Sequence, residues 1–465
     1  MRHFCFIIGL LLGLVSTAQT QEQLSLNEYL GFVKQYHPVA KLADLNLTAA
    51  QAKLLKSRGA FDPKVEVDWK TKNFDSKEYY DILNSTFKIP TWFGVELKAG
   101  FEQNEGEFLN PQNNVPDDGL YAAGVSVPIG QGLFINKRMA ELKQAKILQN
   151  LTQAEIELQV NQLLYDAVNT YFNWYLAYQE VKVFEEFKTN AKVRFDGIKS
   201  RALAGDIPTI DTLEAKIIVQ NRDLSLEQAN LDYIKASLEL ANFLWFEDNL
   251  PLELAPNVTP EQLDNLAIDD VLGTNLLQLE SFEIENHPKL QALNLKIDQL
   301  EVNKRLKAEM LKPQLDLNYN FITQPVNELQ GFNTNDYKAG IYFKLPLFLR
   351  KERGDLKLAK VKLNQAELDL NYQRLQLRNK INATQQAINS YNKQLETYQT
   401  IVSNYGELLS AEERKFSFGE SSVFLINSRE NKLIDAQLKQ ISAVGKLLKT
   451  KSKLFNVLVN EVNLD

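Results

Sequence analysis

Two of the three histidines and a few isolated carboxylates are the residues in this 465-residue chain with the chemistry for catalysis or metal binding. His37 and His287 each stand directly before a proline, and no cluster of cysteine, aspartate or glutamate completes a metal site around them. Asp166 and Asp211 lack a second carboxylate at catalytic spacing, and neither G-x-S-x-G nor H-E-x-x-H occurs. We therefore expect no catalytic residues, no metal and no cofactor, and we interpret both histidines as structural residues at helix breaks.

The two histidine-proline pairs open a set of four landmarks that the chain repeats in the same order. The first copy runs through His37-Pro38, Phe61-Asp62-Pro63, Val127-Pro128-Ile129 and Ala204-Gly205-Asp206. The second copy runs through His287-Pro288, Leu311-Lys312-Pro313, Leu345-Pro346-Leu347 and Phe418-Gly419-Glu420. A period above ~200 residues indicates a duplicated structural unit, because solenoid repeats are far shorter. We predict a first repeat over residues 19–282 and a second over residues 283–465.

The N-terminus has the pattern of a secretory signal peptide over residues 1–18. Arg2 is followed by an apolar stretch from Phe4 to Val15 and by the small residues Ser16-Thr17-Ala18. The only cysteine, Cys5, lies in this stretch, so we expect a cysteine-free mature chain, which suits an exported protein without disulfides. The composition, 44% hydrophobic and 24% charged, can form a core, and a net charge of -7 without a basic cluster argues against nucleic-acid binding.

Apolar and polar residues alternate between the second and third landmarks of each repeat. Val65, Val67 and Trp69 alternate with polar neighbours, and the second repeat alternates in the same way from Leu315 to Phe321. Such segments of about 10 residues are typical of strands with one face in lipid, although a sheet packed on a soluble core has the same pattern. No later stretch is apolar for the ~18 residues of a membrane helix, so we expect any membrane insertion to use strands, within about 61–129 and 313–346.

Long proline-free segments follow these strands and predict unusually long helices. There is no proline between Pro128 and Pro208 or after Pro346. We predict helices at about 136–204, 209–246, 350–417 and 421–460, the first of them ~100 Å long at 1.5 Å per residue. Apolar residues recur every seven positions in two lines, Leu356, Leu363, Leu370 and Leu377, and Val361, Leu368 and Leu375. Two lines give a helix a neighbour on each side, as in a helical barrel, whereas an ordinary soluble bundle uses helices of 8 to 20 residues.

Aromatic residues crowd the middle of the first long helix, around Tyr171 and Trp174. A bare coiled coil prefers aliphatic residues, so we expect further elements to pack at this level. The candidate is an equatorial linker at about 247–282, which three prolines divide into short pieces.

In this order and twice over, the landmarks resemble the TolC-like outer-membrane efflux proteins, over essentially the whole mature chain. The matching segments are Tyr36-His37-Pro38 with Asn286-His287-Pro288, Val127-Pro128-Ile129-Gly130 with Leu345-Pro346-Leu347-Phe348, and the turn from Arg201 to Glu214 with that from Arg414 to Glu430. The resemblance implies an α+β membrane protein, a homotrimer that shares one outer-membrane β-barrel and one periplasmic α-helical barrel. It also implies a passive export duct, embedded in outer-membrane lipid, that works with a periplasmic adaptor (membrane-fusion) protein and an inner-membrane pump of the RND or ABC type.

The first repeat departs from this family pattern. Pro63 and Pro128 are 65 positions apart, whereas Pro313 and Pro346 are 33 apart. The resemblance implies two strands per repeat and twelve in the trimer, so the excess at about 79–117 indicates an additional hairpin. That hairpin either joins the barrel, with six strands per chain and eighteen in all, or lies beside it.

The resemblance also places a gate near the two glycine turns. Asp211 matches a carboxylate that helps to hold the family's channels shut, but Phe416 and Ser421 replace its tyrosine and arginine partners, and Leu425 and Ser428 replace two aspartates at the entrance. We therefore expect a constriction formed more by apolar side chains than by charge. An equally good interpretation makes Asp211 a solvated cap of the return helix. The candidate tip and gate residues are Gly205, Asp206, Asp211, Phe416, Gly419, Ser421, Phe424 and Leu425.

Two other classes of protein share some of these features. A periplasmic adaptor also has a long helical hairpin, but only one, flanked by β-rich domains, so the duplication argues against it. A structural coiled-coil protein of the envelope accounts for the helices and leaves the alternating segments unexplained. An export duct accounts for the signal peptide, both repeats, the strands and the helices.

Overall fold

A computed structural model describes residues 22–274, 282–324, 334–460 and 462 of the chain. The predicted signal peptide, residues 1–18, lies outside the described residues, as does part of the predicted linker. Contacts divide the chain into two compact units, each of which takes segments from both repeats. We call them the sheet unit, Lys41–Asn161 with Ser281–Asn382, and the helical unit, Met1–Ala40 with Gln162–Glu280 and Ala383–Asp465.

The described elements alternate between helices and strands in both repeats. In the first repeat they are β1 (Gln23–Leu24), α1 (Leu26–Tyr36), α2 (Pro38–Arg58), β2 (Lys64–Phe74), β3 (Lys77–Pro90), β4 (Glu96–Glu105), β5 (Leu120–Pro128), α3 (Lys137–Leu203), α4 (Thr209–Ala241), β6 (Thr259–Pro260) and α5 (Asn265–Val271). In the second they are α6 (Pro288–Glu309), β7 (Gln314–Thr323), β8 (Tyr337–Lys344), α7 (Arg350–Ser417) and α8 (Val423–Leu458). A search of the described helices for one long and apolar enough to span a membrane finds none.

Helix α4 stops at Ala241, before the predicted end at 246. Asn242, Phe243 and Leu244 each donate a backbone N–H to the carbonyl three residues back. This tighter bonding ends the α-helical ladder, and Trp245 then pairs with Pro251 in an antiparallel bridge.

The sheet unit is built on six antiparallel strands in the order β2-β3-β4-β5-β7-β8. Residues 79–117, whose role the sequence left open, supply most of β3 and all of β4, and both strands lie inside this sheet. The described residues therefore contribute six strands to one sheet, with β2 and β8 at its two edges.

One row of paired side chains is apolar from one edge of the sheet to the other. The row consists of Val65, Phe87, Ala99, Ala123, Phe321 and Tyr337. The adjacent row, on the opposite face, consists of Lys64, Lys88, Lys98, Gly124, Asn320 and Lys338. Lysines of this polar face bind carboxylates, as Lys88 binds Glu66 and Lys338 binds Glu102. Because successive side chains of a strand point to opposite faces, the pairing register keeps apolar and charged residues apart.

The turn between β3 and β4 packs on the junction between β5 and α3. Gly94 has a φ of 92°, and a Cβ at this position would lie 3.4 Å from the carbonyl oxygen of Gly132. Arg138, at the start of α3, forms an ion pair with Glu96 of β4 at 3.4 Å. These contacts hold the additional hairpin against the rest of the sheet unit.

In the helical unit, the aromatic cluster of α3 is covered by the N-terminal segment as well as by the linker. Tyr29 of α1 is fully buried, and its ring centroid lies 5.6 Å from that of Tyr171. The Tyr171 hydroxyl donates to the Leu24 carbonyl at 2.6 Å, where β1 pairs with β6 of the linker. Burial raises the pKa of Tyr171, so the phenol remains a hydrogen-bond donor. The sequence predicted that the linker covers this cluster but did not predict the contribution of the N-terminal segment. A two-residue strand such as β1 has no periodic pattern that could reveal it.

The close approach of β5 and β7 at Gly124 gives a test of the sheet. A Cβ on Gly124 would lie 2.1 Å from the Tyr319 carbonyl oxygen, so we expect Gly124→Ala to destabilise the sheet by about 1–3 kcal/mol. Gly340→Ala is the matched control, because Gly340 also lies in a strand and a Cβ added there would meet no atom within 4 Å. The measurement is the temperature at which the purified protein changes its migration on SDS gels. Equal transition temperatures for the two variants would contradict the close approach of β5 and β7.

Candidate functional site

The two helical hairpins of the helical unit end in turns with the same backbone geometry. Gly205 follows α3 with a φ of 84°, and Gly419 follows α7 with a φ of 78°. The next N–H, of Asp206 or Glu420, donates to a carbonyl five residues earlier at 3.0 Å or 2.9 Å respectively. Glycine takes this left-handed conformation without steric cost, and the bonds satisfy the last carbonyls of each helix. We call residues 204–208 and 418–422 the tip.

The return helices begin differently after these turns. The Ser422 hydroxyl accepts the N–H of Leu425 at 3.3 Å and caps α8, whereas Pro208 precedes α4 without a side-chain cap. Asp211 lies in the first turn of α4, half-buried, and forms no side-chain hydrogen bond or ion pair with the described residues. Its charge still favours the helix, because the N-terminal end of a helix dipole attracts carboxylates.

The aromatic and aliphatic candidates separate into a packed group and an exposed group. Phe416 is half-buried against a cluster that includes Ile198 and Val423, and its ring centroid lies 5.8 Å from the Arg201 guanidinium. Phe424 and Leu425, in contrast, remain 65% and 41% exposed. The structure therefore assigns Phe416 to the core of the hairpins and leaves Phe424 and Leu425 on the surface beside the tip.

Ser421 connects the second turn to the end of α7. Its hydroxyl donates to a Glu412 carboxylate oxygen at 2.6 Å, and the other Glu412 oxygen lies 3.6 Å from the Arg429 guanidinium. The Ser421 hydrogen bond lowers the pKa of Glu412, and the charges of Lys415 and Arg429 add to the effect. This network ties the turn to the helices on both sides of it.

A buried charge cluster, which the sequence analysis did not identify, joins the helices behind the tip. Glu430 of α8 is fully buried, and its two oxygens accept from Arg194 of α3 at 3.0 Å and Arg222 of α4 at 3.2 Å. Arg222 also donates to the Asn431 side-chain oxygen at 2.6 Å, and Arg194 reaches Glu413 of α7 at 3.3 Å. We call Arg194, Glu430 and Arg222 the buried triad. It connects α3, α4 and α8 directly, and α7 through Glu413.

The sequence contained a signal for this triad, because charged residues occupy positions in line with the buried apolar residues of two helices. On α4, Arg222 lies in line with buried Ile218 and Leu226, and on α8, Glu430 lies in line with Ile426 and Leu433. Charged residues are rarely buried unless they are paired. An arginine in one apolar line and a glutamate in another therefore indicate an ion pair between the two helices.

We expect Glu430→Ala to destabilise the helical unit by about 3–5 kcal/mol, because buried Arg222 and partly buried Arg194 lose their carboxylate. The matched control is Glu413→Ala, which removes the exposed partner of the same Arg194 and is expected to cost at most ~1 kcal/mol. The measurement is thermal unfolding followed by the helical circular dichroism signal. A Glu430→Ala protein as stable as Glu413→Ala would show that the triad does not hold the helices together.

The two histidines perform matching structural roles. His37 Nδ1 accepts the N–H of Val39 at 3.2 Å, and His287 Nδ1 accepts the N–H of Lys289 at 3.0 Å. The His37 ring also lies 5.7 Å from the Phe243 ring, and burial lowers the pKa of His37, which favours the neutral form. Within the described ranges, no group of three or more histidine, cysteine or acidic residues is placed to hold a metal ion.

Comparison of the sequence with known proteins identifies one family. Residues 281–458, which make up most of the second repeat, match the family model described as "Outer membrane efflux protein". No curated protein is significantly similar to the chain in sequence.

Comparison of the structure finds the same fold in solved channels. The CmeC outer membrane channel of Campylobacter jejuni is 14% identical with a TM-score of 0.64, over 93% of this chain and 85% of that one. VceC of Vibrio cholerae is 12% identical with a TM-score of 0.65, over 94% and 97%. The open state of the MtrE channel of Neisseria gonorrhoeae is 13% identical with a TM-score of 0.65, over 95% and 90%. At these identities the similarity shows the fold alone.

The sequence match and the fold agree with each other. The family model covers the second repeat, and the shared fold extends over nearly all of both repeats. The antiparallel sheet and the long helices of this chain thus belong to a fold that it shares with the solved channels. Residues 281–458 thus match the outer membrane efflux protein family, and nearly all of the chain shares the fold of solved channels of the outer membrane.

Proposed function

We propose that three copies of this chain form a passive export duct that works with a periplasmic adaptor and an inner-membrane pump. As an outer membrane efflux channel the protein would not be an enzyme, and we place its helices in the periplasm. The observation that carries the proposal is the six-stranded sheet, which has an apolar row of paired side chains on one face and a row rich in lysine on the other. On the apolar face Val65, Trp69 and Ile341 are 69%, 63% and 73% exposed, a surface suited to outer-membrane lipid.

Two features support an oligomer over a single chain. A closed barrel needs at least about eight strands, and this sheet has six, with β2 and β8 at open edges. In the helical unit, α4 exposes an apolar residue at every seventh position. They are Ile210, Ile217, Leu224, Leu231 and Leu238. A line with heptad spacing is the seam of a coiled coil, so a neighbouring copy would cover it.

The tip is the surface that we propose for the adaptor. Ala204, Asp206 and Ser422 are exposed there, and the glycine turns leave the backbone of each hairpin accessible. An adaptor with its own helical hairpin would meet these turns end to end. The pump, of the RND or ABC type, would then supply the energy that a passive duct lacks.

The exposed apolar residues beside the tip are our candidates for the gate. Phe424 and Leu425 lie on the first turn of α8, next to a turn that Ser421 and Glu412 hold in place. An apolar constriction stops ions because water leaves it, and it binds cations weakly. Asp211 adds a single carboxylate without a described partner, so we propose no ring of charge that would bind divalent cations.

Cysteines at Ala204, Asp206, Ser421 and Ser422 should crosslink to a periplasmic adaptor in cells, because we place these residues at the docking surface. The matched control is Trp92→Cys, since Trp92 is 72% exposed but lies in the sheet unit. The crosslinked partner is identified by mass spectrometry as a protein with a helical hairpin. Adaptor crosslinks from Trp92→Cys and none from the tip would place the docking surface in the sheet unit and contradict the proposal.

We expect Leu425→Ser to raise single-channel conductance in planar bilayers by on the order of twofold or more, because a polar side chain keeps the constriction wet. Leu408→Ser on α7 is the control, since Leu408 is 45% exposed, close to the 41% of Leu425. Divalent cations added on the periplasmic side should block the wild-type channel only weakly. Tight block would reveal a carboxylate ring and contradict an apolar gate.

A further inference from the structure

We propose that β2 of one protomer pairs antiparallel with β8 of the next, so that three six-stranded sheets close a barrel of eighteen strands. The inference rests on the homotrimer of the proposed function and adds the surface through which the copies join. It departs from the twelve strands that the family resemblance implies, because β3 and β4 lie inside the sheet.

Both outer strands offer a full edge for this pairing. β2 has 11 residues and β8 has 8, and all of them are exposed in the single chain. β2 runs away from α2 and β8 runs toward α7, so the new contact continues the antiparallel order of the sheet. Open edges are not stable in hydrocarbon, and a second copy supplies the missing hydrogen bonds.

The two faces of the sheet restrict how the edges can align. Val65, Val67 and Trp69 of β2 lie on the apolar face, as do Ile341 and Phe343 of β8. Odd-numbered residues of β2 must therefore face odd-numbered residues of β8. A shift of the register by one residue would point the charged side chains of one strand toward lipid.

Charge disfavours the register with aligned strand ends, and the strand tilt of membrane barrels selects among the shifted registers. If the strand ends are aligned, Lys64 faces Lys344 and Lys70 faces Lys338, which places like charges directly opposite each other. A shift of two residues places Lys344 opposite Glu66 and leaves one like-charged pair, Lys72 with Lys338. We call this the offset register.

The offset register also places apolar side chains of the two edge strands opposite each other. It places Phe343 opposite Val67 and Ile341 opposite Trp69, which are favourable pairs of aromatic and aliphatic side chains. Across the six strands of one protomer, the row of paired residues runs from Lys64 of β2 to Lys338 of β8. In the offset register, the next residue in this row is Lys72 of β2 in the neighbouring copy. The row thus shifts by eight residues along β2, from Lys64 to Lys72, for every six strands. This shift corresponds to a strand tilt of ~40°, which is within the range of membrane barrels.

The proposed barrel fits the number of helices at its edge. Four helices, α2, α3, α6 and α7, adjoin the sheet in each protomer, so three protomers supply twelve. Twelve helices packed ~9–10 Å apart form a ring of about 110–120 Å. Eighteen strands spaced ~4.8 Å apart with a tilt of ~40° form a ring of about 110 Å, whereas twelve strands form one of about 75 Å.

The width of this barrel has a consequence for what passes through it. A ring of about 110 Å has a backbone diameter of ~36 Å, far wider than the ~10–12 Å of a polypeptide helix. The barrel would therefore set no strict size limit, and a polypeptide as well as a small solute would fit. Size selection would be left to the gate beside the tip.

Cysteine pairs test the proposed contact, because the chain has one cysteine, Cys5, in the predicted signal peptide. The test pair is Val67→Cys with Phe343→Cys, and Trp69→Cys with Ile341→Cys is a second pair in the same register. Oxidation in isolated outer membranes should give covalent dimers and trimers on reducing-agent-free SDS gels. The control pair is Val67→Cys with Tyr342→Cys. It should give at least about tenfold less covalent dimer and trimer, because Tyr342 points to the other face and a disulfide needs Cβ atoms ~4 Å apart.

Two results would overturn the proposed contact, and another would overturn only its register. Disulfides from Leu97→Cys with Phe343→Cys would show that β4, not β2, meets β8 and that the barrel has twelve strands. Disulfides mainly from Val65→Cys with Phe343→Cys would show aligned strand ends in place of the offset register. Trimers without disulfides from either test pair would refute the contact and leave the export duct intact, whereas a non-conducting monomer would refute the duct itself.

Discussion

The hydrogen-bonding requirement of a sheet in lipid is the constraint on which the rest of this structure depends. A backbone N–H or C=O group without a partner costs several kcal/mol in hydrocarbon. Among the described residues, the outer strands β2 and β8 of the six-stranded sheet each have a partner on one side only. We therefore propose that assembly is part of the fold, with other copies completing the backbone hydrogen bonds.

The helical unit depends on a different kind of interaction. Its long helices have apolar lines, and apolar contacts alone allow one helix to slide along another by a turn. The buried triad of Arg194, Glu430 and Arg222 forms its ion pairs only when α3, α4 and α8 are in register. Buried ion pairs contribute little net stability, so we interpret the triad as a device for register. A fixed register would keep both glycine turns at one level for the adaptor.

The features with a local pattern could be predicted from the sequence, and those that depend on pairing could not. Alternation in Val65 to Trp69 indicated a strand, and Gly205 and Gly419 indicated the turns, because each pattern reflects one element alone. The partner of β4 was not predictable, since strand order depends on contacts distant in sequence. The role of Phe416 was also not predictable, because family resemblance suggested a position near the gate and gave no information on burial. The sequence carried a signal for buried charge at Arg222 and Glu430, but their pairing with each other and with Arg194 depends on which helix faces meet.

The number of chains in the detergent-extracted complex tests the central claim, that one chain cannot complete its own barrel. Native mass spectrometry of protein purified from outer membranes in mild detergent counts the chains directly. We expect a complex of three chains that loses its β-structure when it dissociates. A monodisperse single chain with intact β-structure would contradict the claim.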